Sequence, residues 1–118
     1  MDYLPSAADV AVLTVHLAYR YADEKHTNLT RFRVSNRSLR KIAGRSHLRE
    51  AFLEEWAAAL AEMGWMVIWH GDNNALIRTA AIDGWARISS KRIAADLDGI
   101  NASKVQRFRR QLRSHKFL

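Results

Sequence analysis

Apolar residues first recur at helical spacing. Val10, Leu13, Thr14, Leu17, Ala18 and Tyr21 form one stripe running to about Ala22, and Ser6, with Pro5 just ahead, is placed to cap the helix they predict. Asp23 to Asn28 is polar and reads as a loop. Leu29 to Val34 alternates imperfectly, with Leu29, Phe32 and Val34 against Thr30, Arg31 and Arg33, as a short edge strand would. Ser35 then caps a brief helix carrying Leu39, Ile42 and Ala43, which Gly44 ends. Arg45-Ser46-His47 turns into a third helix, about Leu48 to Met63, whose apolar positions are Leu48, Phe52, Leu53, Trp56, Ala57, Leu60 and Met63.

Beyond Gly64 the period changes from helical to two. Trp65, Val67 and Trp69 alternate with Met66 and Ile68 in one strand, Gly71 to Asn74 is a turn, and Ala75 to Ile82 returns as a second strand. Asp83-Gly84 signals another hairpin, with Trp85 to Ile88 as a third strand. Ser89 or Ser90 caps a helix from Lys91 to about Leu97, broken at Asp98-Gly99. Asn101 or Ser103 caps a last helix that runs to about His115. On it Val105, Phe108 and Leu112 make an apolar stripe, and the rest carries Lys104, Arg107, Arg109, Arg110, Arg113 and Lys116 without an acid. The expected architecture is α+β, mainly α: three helices and a small antiparallel β-meander over residues 6–88, then a basic helix pair over 89–118, all in a single compact domain.

Composition narrows the partner. The formal net charge of +7 and the pI near 10.4 point to a polyanion, most often nucleic acid. There is no cysteine, so disulfides, Cys-ligated zinc and thiol catalysis are excluded, which fits a reducing compartment. No apolar run approaches the roughly 20 residues of a membrane span, and Met-Asp-Tyr-Leu-Pro has no signal-peptide character. The expectation is a cytoplasmic, nucleoid-associated protein without membrane contact. His16, His26, His47, His70 and His115 show no ligand spacing, so neither a metal nor a cofactor is expected. Glu54 and Glu55 are adjacent and make no carboxylate dyad, no nucleophile sits beside a base, and no Gly-rich phosphate loop occurs, so no enzyme is expected. Trp56 belongs to a helix stripe and is expected in the core. Trp65, Trp69 and Trp85 can stack on bases as in single-strand binders, but their apolar strand neighbours make packing the expectation.

Two stretches hold the charge. Residues 31–49 carry Arg31, Arg33, Arg37, Arg40, Lys41, Arg45 and Arg49 with no acid, and the second stretch runs from Lys104 to Lys116. Arginine predominates, which suits bidentate contacts to phosphate and guanine. Ser35, Asn36 and Ser38 add short polar groups at a helix N-terminus.

The order of elements from Leu29 to Ala80 resembles the winged-helix superfamily, with Leu60-Ala61-Glu62-Met63-Gly64-Trp65 similar to the common passage from third helix into wing. The resemblance implies that Arg31 to Val34 pairs with the hairpin, that Asp72-Asn73-Asn74 forms the wing tip, and that the third helix meets the major groove, with Arg45, His47 and Arg49 at its leading turn. This chain departs from the pattern in carrying Glu50, Glu54, Glu55 and Glu62 on that helix. Ser89 to Leu112 resembles a helix-turn-helix, with Ala94, Leu97, Ile100 and Val105 as its packing positions and a turn one residue longer than usual. That likeness implies base contacts from Asn101, Ser103, Lys104, Gln106 and Arg107, and backbone contacts from Arg109, Arg110, Arg113 and Lys116. Arg37, Arg40, Lys41 and Lys91 complete the expected DNA-binding set. The expected function is binding of double-stranded DNA, as a sequence-specific transcriptional regulator or a plasmid or phage replication or partition factor, with a homodimer expected on grounds of operator symmetry. The alternative is a protein-interaction module or accessory factor using the same scaffold; RNA binding ranks last.

Overall fold

A computed structural model describes residues 3–114; His115, the expected end of the last helix, and Lys116, an expected backbone contact, lie outside them. The described chain is α+β and mainly helical. Its elements are α1 (Ala7–Glu24), β1 (Arg31–Ser35), α2 (Asn36–Ala43), α3 (Glu50–Glu62), β2 (Trp65–His70), β3 (Asn73–Arg78), α4 (Thr79–Ile82), α5 (Ser90–Leu97) and α6 (Ala102–Ser114). They fall into two compact units, Met1–Trp85 and Ala86–Leu118, where the sequence pattern pointed to one domain. No helix among the described residues is long and apolar enough to cross a membrane.

In the first unit, local chemistry sets the helix ends. Ser6 Oγ accepts from the Asp9 amide at 3.1 Å and Ser35 Oγ from the Ser38 amide at 3.1 Å, each satisfying a donor that a helix start leaves free. Asp9 also takes a hydrogen bond from the Tyr3 hydroxyl, which lowers the carboxyl pKa and raises that of the phenol. Gly44, at φ 66°, ends α2 in the left-handed conformation that a side chain would strain. The stripes of α1, α2 and α3 then meet through Val10, Ala11, Leu39, Ala43, Trp56 and Leu60, with Trp65 and Leu76 closing the core from the sheet. Trp56 is fully buried, and its Nε1 donates to Thr14 Oγ1 at 3.3 Å, while Thr14 donates in turn to the Val10 carbonyl at 2.6 Å.

The sheet is antiparallel in the order β1-β3-β2. Arg31 stands opposite Ile77 and Ile77 opposite Met66; Arg33, Ala75 and Ile68 form the next row. The inward set is Phe32, Val34, Asn74, Leu76, Trp65 and Val67, all buried or half-buried. His70 pairs with Asn73, so the turn is Gly71-Asp72 alone, with Gly71 at φ 57°. Asn73 and Asn74, expected in the turn, are strand residues. Asn74 is fully buried, and its Nδ2 donates to the Val34 carbonyl at 3.1 Å and to Asn36 Oδ1 at 2.9 Å.

The expected third strand at Trp85 to Ile88 is absent, and the sheet is not a meander: its third strand is β1, separated from β2 by two helices. The ladders explain this. The Arg78 amide donates to the Thr30 carbonyl and the Thr79 amide to the Gly64 carbonyl, which uses up both neighbouring strands. The chain beyond closes on itself as α4, through Asp83 to Ala80, Gly84 to Ala81 and Trp85 to Ile82 hydrogen bonds. Gly84 does not take the positive φ that a tight hairpin would use.

In the second unit, Ser89 Oγ accepts from the Arg92 amide at 3.2 Å and Asn101 Oδ1 from the Lys104 amide at 2.9 Å, capping α5 and α6. Gly99 makes the break at φ 74°. Neither helix buries a residue: Leu97 and Leu112 are 60% and 58% exposed.

Candidate nucleic-acid interface

The positive charge is divided unevenly between the two units. Residues 86–118 hold nine of the nineteen Lys and Arg but two of the twelve acids, which accounts for the whole +7. Residues 1–85 hold ten of each and are neutral overall.

On α6 the periodicity places Arg107 and Arg110 opposite the Val105–Phe108–Leu112 stripe, with Arg113 beside them, while Lys104 and Arg109 border the stripe. The four arginines are exposed and Lys104 is half-buried. Arg107 lies over the Phe108 ring at 5.6 Å, and Arg109 Nη1 reaches Gln106 Oε1 at 3.5 Å. Asn101, expected at base edges, spends its carbonyl oxygen on the cap. Ser103 and Gln106 are exposed on the leading turns, and Lys91 is exposed at the head of α5. The one ion pair among the described residues, Arg92 to Asp96 at 3.8 Å, is also on α5. A surface of this kind can meet several phosphates at once.

Within the first unit the basic residues separate into two groups. Arg37 and Lys41 are exposed on the side of α2 away from buried Leu39 and Ala43, and Arg40, nearer Ala43 around the helix, is half-buried. His47 and Arg49 are exposed ahead of α3, and Arg49 occupies its N-cap without a side-chain capping bond. Arg45 belongs to the scaffold instead. Its Nη1 donates to the Pro5 carbonyl at 2.8 Å and the Ala43 carbonyl at 3.0 Å, and its guanidinium stacks over Phe52 at 4.5 Å. It ties the chain ahead of α1 to the α2–α3 turn.

Past Arg49 the outer side of α3 is acidic and small, exposing Glu50, Ala51, Glu54, Glu55, Ala58, Ala61 and Glu62. Such a face repels phosphate. Trp69, expected to pack, is 54% exposed beside Glu50, Leu53 and Glu54, and Trp85 is 58% exposed. Trp65 does pack, edge-on to Phe32 at 5.2 Å and to Tyr19 at 6.5 Å.

Arg78 is a residue that charge-run reasoning passed over. Its Nε donates to the Leu29 carbonyl at 2.8 Å, its Nη2 to the Tyr19 hydroxyl, and its guanidinium lies 5.3 Å from the Trp65 ring. The signal for it was period two: position 78 shares parity with buried Leu76 and Asn74, which aims the side chain inward.

No family model matches this chain, and no match was found among curated proteins or solved structures.

Proposed function

We propose that this protein binds double-stranded DNA, as a winged-helix type of domain followed by a basic helix pair, and that it acts as a sequence-specific transcriptional regulator or in the replication or partition of a plasmid or phage. The observation that carries the reading is the confinement of the net charge to residues 86–118, with the arginines of α6 spread around an exposed helix. The helix and strand order through β3, with β1 added beside β3, supports the winged-helix part. Arg107 and Arg110 meet phosphates or guanine edges, Arg109 and Arg113 the backbone, and Arg37 and Lys41 on α2 add backbone contacts. A homodimer would supply the second half of a two-fold operator.

Fluorescence anisotropy with duplex DNA across a salt series tests this. About six phosphate contacts would give a slope of log affinity against log salt near −5. R107E/R110E should abolish binding at moderate salt. Retention of affinity by that variant, or no binding by the native chain at low salt, would refute the proposal.

A second reading, a protein-interaction module or accessory factor of a mobile element, is favoured by α3. Its acidic, alanine-rich outer side suits a protein surface better than a groove lined by phosphate.

A further inference from the structure

The side of the sheet turned away from the core carries chemistry that neither reading uses. Its rows are Arg31–Ile77–Met66 and Arg33–Ala75–Ile68. A groove of about 410 Å³ opens there, lined by Arg31, Arg33, Ile68, Ala75, Ile77 and Trp85. No acid lines it, and neither arginine is ion-paired among the described residues. Trp85 follows α4, held through its amide to the Ile82 carbonyl at 3.0 Å, and leaves 58% of its surface in solvent.

We propose that this outer sheet face is a binding site for single-stranded nucleic acid, with a base stacked on Trp85 over the Ile68–Ala75–Ile77 floor and adjacent phosphates held by Arg31 and Arg33. Charge complementarity selects an anionic occupant. A second copy docked through this same face about a two-fold axis would set these arginines against their own counterparts. Arg31 and Arg33 are alternate residues of β1, whose backbone positions are about 6.7 Å apart along a strand, and β1 is an edge strand, so a backbone can run beside it. The tryptophan selects a flat ring, because the π-face of any base can stack on it. It also selects against a duplex, whose base faces are already covered by their neighbours. Bases must be unstacked to use this site, and that distinguishes it from the arginine surface of α6.

The site does not rest on the duplex reading, and the variants keep the two apart. The probe is a dye-labelled 12-nucleotide oligothymidylate, titrated into the full chain and into the full chain carrying R107E/R110E, which removes the α6 surface. In that background the single strand should still bind and quench tryptophan fluorescence. W85A should lower the affinity roughly ten-fold and remove the quench, and R31E/R33E should lower it at least as far and flatten the salt dependence. In the otherwise native chain, duplex affinity should be unchanged by W85A. Trp85, Arg31 and Arg33 are all exposed, so both variants should keep the native circular dichroism and melting temperature, a control read alongside. Loss of all oligothymidylate binding with R107E/R110E alone would overturn the proposal. So would unchanged affinity in both site variants, or a site that takes polyglutamate in preference to the oligonucleotide.

Discussion

Trp56 brings one polar atom into the core of the first unit, and that atom has a partner in Thr14, which itself closes on a backbone carbonyl of α1. The pair joins α1 to α3 by packing and by a hydrogen bond. W56A should therefore destabilise the protein by about 3–5 kcal/mol, read from the midpoint of a urea unfolding curve. T14V keeps the volume but strands the indole N–H, and should cost about 1–3 kcal/mol. Arg45 makes the converse point about charge. Placed by sequence among phosphate-binding residues, it instead satisfies two carbonyls and covers Phe52. R45A should lower stability by about 1.5–3 kcal/mol while leaving the salt slope of DNA binding unchanged; a slope shallower by nearly one would show a phosphate contact instead. Sequence can say that an arginine is present, but not that two carbonyls forty and two residues away will converge on it.

At the scale of elements, caps and periodicity were legible and strand pairing was less so. Ser6, Ser35, Ser89 and Asn101 each cap the helix expected after them, because capping is settled within four residues. The hairpin of β2 and β3 follows from alternation and a glycine turn. The supposed strand at Trp85 to Ile88 had a local Asp-Gly signal too, but a hairpin strand pairs with the strand it follows, and β3 already has β1 on one side and β2 on the other. Trp69 stays exposed at the margin of α3, beside Glu50 and Glu54, and Trp85 on the side of the sheet turned away from the core. Helix α6 raises a different matter. Arg107, Arg110 and Arg113 follow one another at three-residue spacing, and such like-charge neighbours weaken a helix by a few tenths of a kcal/mol each. R110E converts both contacts to attraction. It should raise helicity at 222 nm while weakening DNA binding, so that loss of binding cannot be ascribed to loss of the helix.

Across the whole molecule the charge is partitioned by unit: one is neutral, with α2 basic and α3 acidic, and the other is strongly basic. Variants that remove Arg37 and Lys41 together from α2, or Arg109 and Arg113 together from α6, should each reduce the magnitude of the salt slope by about two if their side chains meet phosphate. Anisotropy at four or five salt concentrations separates the contributions. The α+β, mainly helical class, the helices other than α4, the caps at Ser6, Ser35, Ser89 and Asn101, the central hairpin, the basic stretches and the place of Trp56 could be read from the chain alone, because each depends on neighbours within a few positions or on the period of apolar residues; α4 lies where the strand was expected to run on to Ile82. Only the tertiary structure decided that no strand forms at Trp85 to Ile88, that Arg45 and Arg78 serve the scaffold, that Asn74 is buried, and that Trp85 stands exposed on an arginine-edged sheet. Those outcomes depend on which distant groups arrive at the same place, and no local pattern encodes where an edge is already occupied.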